Sequence, residues 1–403
     1  MSQRRLHLIF AGLTCLWFSG SQASADQSPT ACALLSKAVN ADGPVFLPSY
    51  PTVTSGPLQG AAFLYDNAVA TIALVACGES DKAARIGEAM LAALNQDRYW
   101  HDGRLRNGYL AGPVGAGPVK LAGWWDDKQN MWVEDRYQVG SDSGNMAWAI
   151  LALLALDQST GDHRYRDGAA RIGSWVTQWR SKNGPGGFSG GAFAHEPVPV
   201  PETWKSTEHN TDLTAAFTGL WQATGNKNWL EQARAAQEFV GAMWTSSCGC
   251  FAVGTGEDGI THNPYLALDA QVWPLLAIPG TAARYGAAVL VTVENRLRDG
   301  DGYAYSEAKE GLWTEGTAQV ALFMESSGRK AEAQRLLRAI DVMRTADGSY
   351  YASSTKALPT GFMLETDPAQ PRQYFHIAHL AALSWVAIAS RRYNPFTRKN
   401  SLP

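Results

Sequence analysis

The densest group of chemically capable side chains is Ser206-Thr207-Glu208-His209-Asn210-Thr211-Asp212, which runs straight into an apolar helical stretch. Glu208 and Asp212 are four residues apart, so a helix starting near Ser206 turns both carboxyls to one side. Similar acids stand before or at the start of four other apolar runs: Asp66 in Tyr65-Asp66-Asn67, Asp142 in Ser141-Asp142-Ser143-Gly144-Asn145, Asp269 in Leu268-Asp269-Ala270-Gln271, and Glu315 in Thr314-Glu315-Gly316-Thr317. Two carboxyl groups, one protonated and one ionised, can give a proton to a leaving oxygen and activate water. Crowding or burial of several acids is what holds one of them protonated. A helix cap is the plainer role for each acid, because helix starts favour negative charge and oxygen acceptors.

Something must bring these distant acids together, and the chain repeats in a way that does so. After Gly144, Met146, Ile150, Leu153 and Leu154 follow helical spacing. Thr160-Gly161-Asp162 then breaks the helix, and Tyr165, Ala169, Ile172, Val176 and Trp179 restart it. The next unit repeats the phrase, with Leu213, Phe217, Leu220 and Trp221, then Thr224-Gly225-Asn226, then Trp229, Ala233, Phe239 and Trp244. Thr-Gly-Asp/Asn supplies a turn and a cap, which makes each unit a helical hairpin. Further hairpins are expected over 65–94, 269–297 and 315–343. A last inner helix is expected from His376 to Ala389, paired with an outer helix near 30–39. The expected fold is therefore all-α, a ring of six hairpins whose inner helices start at one rim. The linkers 97–140 and 181–207 are long and rich in Gly, Pro and aromatic residues. They are expected to carry short strands and wall a groove at that rim, with little strand elsewhere.

The repeat pattern over most of the chain resembles the six-hairpin, (α/α)6-barrel glycosidases. Leu312-Trp313-Thr314-Glu315-Gly316-Thr317 is also similar to the Ser/Thr-Glu-Gly opening of the inner helix that bears the general acid in family-eight glycoside hydrolases, although here it stands in the fifth hairpin. The resemblance implies carboxylate chemistry on a glycosidic bond.

The remaining composition fits that expectation. Fifteen tryptophans are many for 403 residues, and Trp124, Trp125, Trp313 and Tyr65 are candidates to stack on sugar rings. Net charge is −3 with no basic patch, which argues against a nucleic-acid binder. Residues 1–25 have the form of a signal peptide: Arg4 and Arg5, an apolar stretch from Leu8 to Phe18, and Ala23-Ser24-Ala25. A single domain over 26–403 in the periplasm or outside the cell follows, without stable membrane insertion. Cys32, Cys77, Cys248 and Cys250 then suit disulfides, with three pairings open. Nothing in the sequence calls for a metal or another cofactor. The histidine pair His376 and His379 lacks a flanking acid to complete a metal site.

The reading with the most support is a secreted glycoside hydrolase acting on a polysaccharide or oligosaccharide. Glu208 is the expected general acid and Asp142 the base. Tyr65, Asp66, Trp124, Trp125, Asn145, His209, Asp212, Trp313 and Glu315 are expected to bind substrate, with Asp66, Asp212 or Glu315 able to replace one of the pair. Asp269, between Leu268 and Ala270, is expected to be structural. The alternatives are a polysaccharide lyase and a non-catalytic glycan-binding protein assisting export.

Overall fold

The computed structural model describes residues 30–364 and 369–397. The expected leader over residues 1–25 lies outside the described residues. Among them are thirteen α-helices: α1 (Ala31–Ala38), α2 (Leu64–Ala76), α3 (Ser80–Asn95), α4 (Arg136–Val139), α5 (Ser143–Thr160), α6 (His163–Val176), α7 (Thr207–Thr224), α8 (Lys227–Ala242), α9 (Leu268–Ala277), α10 (Thr281–Arg296), α11 (Thr314–Ser326), α12 (Lys330–Ile340) and α13 (Leu380–Ser390).

Burial divides them into two sets. In α9 every residue from Leu268 to Ala277 is buried, and in α13 every residue from Leu380 to Ala389. A helix apolar all round must be surrounded by protein. In α12 only Ala333, Leu336 and Ile340 are buried, a single stripe at helical spacing. The inner helices are α2, α5, α7, α9, α11 and α13. Each packs on the next, and α13 packs on both α11 and α2. α1 lies against α13 and α2, and a disulfide joins its Cys32 to Cys77 at the end of α2. Cys248 and Cys250 form the second bridge. The Thr-Gly-Asp/Asn turns are as expected: Gly161 and Gly225 end α5 and α7 at φ 74° and 70°, and Asp162 and Asn226 cap α6 and α8. That left-handed region is one glycine enters without steric cost.

The loops are fastened by a device that recurs in five units. The fourth residue of the inner helix accepts the backbone N–H of a residue in the loop before it. Asn67 takes Leu47 at 2.8 Å, Met146 Sδ takes Leu105 at 3.3 Å, and Asn210 takes Phe188 at 2.8 Å. Gln271 takes Phe251 at 2.9 Å and Thr317 takes Tyr303 at 3.1 Å. The three amides also donate to the carbonyl of the same loop residue, at 3.0, 3.0 and 2.8 Å. Each loop is thereby drawn over the start of its helix.

Short strands occupy the two long linkers as expected, including Gly108–Leu110, the pair Trp124–Asp126 with Met131–Val133, Gly191–Phe193 and Val200–Glu202. The longest strand pair outside those linkers, Ala357–Met363 with Pro371–Phe375, was not expected; three two-residue pairs also lie outside them. The last inner helix starts at Leu380 rather than His376. The chain before it is held extended, with Ile377 accepting from Ala352 N–H and His379 donating to Tyr350 O. One buried apolar cluster runs from Ala31 to Phe396. No helix among the described residues is long and apolar enough to cross a membrane.

Replacing Asn210 with Leu leaves the Phe188 N–H and C=O buried without partners. At about 1–3 kcal/mol for each buried unsatisfied group, the variant should lose about 2–4 kcal/mol in a denaturant titration. Amide exchange at Phe188 should accelerate, while exchange in α5 should change little.

Candidate active site

The inner helices converge with their starts at one rim, and that rim collects the acids. At one side Tyr65, on α2, donates its hydroxyl to Glu315 Oε1 at 2.8 Å, 250 positions away. The Trp385 indole N–H, from α13, donates to the Tyr65 oxygen at 2.8 Å and so fixes the phenol. His379, just before α13, lies between two acids: Nε2 is 3.2 Å from Asp66 Oδ2 and Nδ1 is 3.7 Å from Glu315 Oε2. Tyr50 stacks on its ring, centroids 4.7 Å apart. Burial pushes Glu315 up to about 7, and the charge of His379 restrains the rise. Burial alone would lower the His379 imidazole, but Asp66 and Glu315 reverse the sign and raise it.

Across the rim α7 presents Glu208, which keeps a partly accessible surface. Burial raises its carboxyl well above the ordinary range, Asp269 adds to the rise, and Arg372 opposes it. Glu315 and Asp142 raise it further, so the groups act as one electrostatic cluster. Asp269, expected to serve only its own helix, belongs to this group. It lies near Glu208 and Tyr305, accepts the Ala270 N–H at 2.6 Å, and is raised by burial to about 6. Two neighbouring carboxyls hold one proton between them more readily than two charges.

Asp142 stands at the N-cap position of α5 without a side-chain capping bond. Asn107 donates Nδ2 to its Oδ1 at 2.6 Å and accepts its backbone N–H at 2.7 Å. The same Asn107 oxygen accepts from Asn145 Nδ2 at 2.8 Å, and Asn145 also reaches the Tyr137 hydroxyl at 3.3 Å. His209 packs flat on Gly144. A Cβ at residue 144 would lie 2.3 Å from the imidazole, so only glycine admits the ring there. Burial, then Arg372, lowers His209 to about 3, which leaves a neutral imidazole with Nδ1 3.3 Å from Ser143 Oγ.

Two expected substrate contacts are corrected by this geometry. Asp212 has no exposed surface, and neither carboxyl oxygen has a hydrogen-bond partner; the nearby Trp148 indole lies outside good hydrogen-bonding geometry. It sits one turn below Glu208 on the same helix. Trp313 is 1 % exposed, its ring held by Tyr305, Tyr374 and the close approach of Gly316. It supports the wall rather than offering a stacking face. Trp124 and Trp125 lie on the hairpin that leads to α4, outside the acid cluster.

Several residues of the site carry no strong signal in the sequence. Tyr50, Asn107 and Tyr305 come from loops, and Arg372 and Tyr374 from the unexpected strand pair. Arg372 lies 5.0 Å over the Tyr137 ring. His379 could have been found from its place, since it stands immediately before an inner helix as Asp142 does. Its partner His376 turns elsewhere, stacked on Tyr351 with Nδ1 2.7 Å from Ser353 O. Among the described residues, no three His, Cys, Asp or Glu side chains are placed to hold a metal ion. A surface cleft of about 470 Å³ beside Asp299, Arg335 and Arg338 contains none of the acid cluster.

Burial, then Glu208 and Asp269, raises Asp212 well above the usual carboxylate range. A group whose folded pKa exceeds its unfolded value binds protons more tightly when folded. Stability is therefore lost as pH rises from about 4 toward the folded pKa. Asp212→Asn removes that loss. The variant should match the parent's melting temperature near pH 4 and exceed it at pH 7, the gap widening steadily between the two in a pH series of thermal melts.

No protein-family model and no curated protein matches the sequence. Solved structures do. A glycosidase superimposes with a TM-score of 0.60 at 16% identity, over 90% of this chain and 94% of that one. The cellobiose 2-epimerase from Bacillus thermoamylovorans gives 0.62 at 10% identity, over 89% and 95%. A protein described as a novel alpha-amylase from Clostridium perfringens gives 0.62 at 9% identity, over 92% and 99%. At these identities the likeness concerns architecture: the chain has the fold of the (α/α)6-type sugar-active proteins.

Proposed function

We propose that this protein is a secreted glycoside hydrolase on a closed (α/α)6 barrel, acting on a polysaccharide or oligosaccharide. The packing of α13 on α2 supports closure. The leader-like residues 1–25 and the two disulfides support a periplasmic or extracellular site of action. The observation that carries the chemistry is the placing of Glu208, partly accessible at the rim and beside Asp269, where burial and that second carboxyl raise its pKa.

In this reading Glu208 gives its proton to the glycosidic oxygen as the bond to the anomeric carbon breaks. Asp142, oriented by Asn107, takes the proton of the water that adds to that carbon. The proton leaves on the departing hydroxyl; Asp142 then releases the proton it took from water, and Glu208 regains one from solvent, favoured by the Asp269 carboxyl beside it. Glu315, Tyr65, Asp66, His209 and Asn145 then bind and orient the sugar. Glu315 can also act as an acid at neutral pH, since its carboxyl is raised to about 7.

A second reading, sugar epimerisation, is favoured by the two histidines in the cluster. Neutral His209 could accept a proton from carbon, and His379, charged beside Asp66, could return one on the other face. Two of the similar structures are sugar epimerases. Hydrolysis gives new reducing ends. Epimerisation gives an isomer of unchanged mass that carries solvent deuterium.

The test is a hydrolysis screen over polysaccharides and oligosaccharides with parent, Glu208→Gln and Asp142→Asn. Each variant should lose activity by about 10²–10⁴-fold, the usual worth of a positioned acid or base, with its thermal melt unchanged. Full activity in both would refute these roles. An unsaturated, ultraviolet-absorbing product would indicate a lyase instead.

A further inference from the structure

The strand pair Trp124–Asp126 and Met131–Val133 sets Trp125 directly opposite Trp132. Opposed residues of an antiparallel pair point to the same face, so the two indoles stand side by side. They are 55 % and 52 % exposed, unusual for residues whose burial is so favourable. Residue 123, two before Trp125, lies on that face as well, and it is glycine. A Cβ there would be 2.5 Å from Nε1 and 2.6 Å from Cε2 of Trp132. The Trp132 ring therefore rests on the bare strand backbone, leaving its outer side open.

The base of this hairpin is fixed. Glu134, two residues past Trp132, takes both Arg98 guanidinium nitrogens at 2.7 Å. Arg98 also binds Glu196, which is in turn bound by the buried Arg106 at 3.0 Å. Gln129, Glu134 and His195 surround Trp132 in a cleft of about 420 Å³. The open Trp132 face, edged by an amide, a carboxylate and an imidazole, matches a pyranose, whose C–H face stacks while its hydroxyls hydrogen-bond. α4 follows at once, and its Tyr137 bears Arg372 and meets Asn145 at the acid cluster. The platform thus stands on the same rim as the acids.

We propose that Trp125 and Trp132 form an auxiliary platform for a polysaccharide, gripping pyranose units of a chain beyond those held at the acid cluster. The inference rests on the carbohydrate reading above, but it concerns binding and does not need hydrolysis. It implies a polymer, rather than a disaccharide, as the preferred ligand.

Affinity electrophoresis tests it, using gels cast with α-glucan, β-1,3-glucan, β-1,4-glucan, chitosan or a polyuronate. Glu208→Gln serves as the background so that no polymer is consumed. This protein should be retarded in at least one gel. Adding Trp125→Ala or Trp132→Ala should weaken the apparent affinity at least about ten-fold, the loss of roughly one stacking contact, with the melt unchanged. Gly123→Ala, whose Cβ would meet both the Trp132 ring and, at 2.7 Å, the Val133 carbonyl oxygen, should weaken it in the same gel. Retardation that both tryptophan variants retain overturns the proposal, as does absence of retardation in every gel. A concentration-dependent dimer abolished by the same changes would overturn it in favour of contact between copies. If binding is lost as expected while the parent cleaves none of the polymers, the hydrolase reading fails and the platform stands.

Discussion

The fold depends on one recurring hydrogen bond, from a loop backbone N–H to the fourth residue of the inner helix that follows. Asn67, Met146, Asn210, Gln271 and Thr317 all make it. A buried N–H without a partner is costly, so the bond fixes where each loop crosses its helix. Crossing there leaves the positions just before or after the helix start facing the rim. Asp66, Asp142, Glu208, Asp269 and Glu315 occupy those positions. Structural and chemical side chains are thereby interleaved within a single turn. Asn210 fastens a loop while Glu208, two residues earlier, faces the cavity.

Electrostatics at the rim follows from that placement. Asp66, Asp142, Glu208, Asp212, Asp269 and Glu315 share a small, poorly hydrated volume, opposed mainly by His379, Arg372 and the positive helix ends. Such an excess of acids cannot all ionise. Protons concentrate on Asp212, fully buried with no donor in place, and on Glu208, beside Asp269. The raised carboxyls are thus a consequence of crowding, and one of them remains within reach of a ligand.

The hairpins were legible because their signals are local. Thr160-Gly161-Asp162 and Thr224-Gly225-Asn226 specify a left-handed stop and a cap within three residues. Contacts such as Tyr65 with Glu315, or Asp66 with His379, span 250 and 313 positions, and no local pattern encodes them. The apolar neighbours of Asp269 suggest a structural role in the sequence, yet those neighbours are what bury it beside Glu208. Asp212 and Trp313 had the residue types for sugar contact, but lie one layer too deep. The helical spacing of Glu208 and Asp212 gave their shared side correctly and said nothing of depth. The strand pair carrying Arg372 escaped notice because its residues show no clear alternation.

The central claim is that Glu208 holds a proton at neutral pH. An infrared difference spectrum between the parent protein and Glu208→Gln at pH 7 tests it directly. The account predicts that the substitution removes a protonated-carboxyl band from the parent. Loss of a carboxylate band instead would show Glu208 ionised and contradict the account.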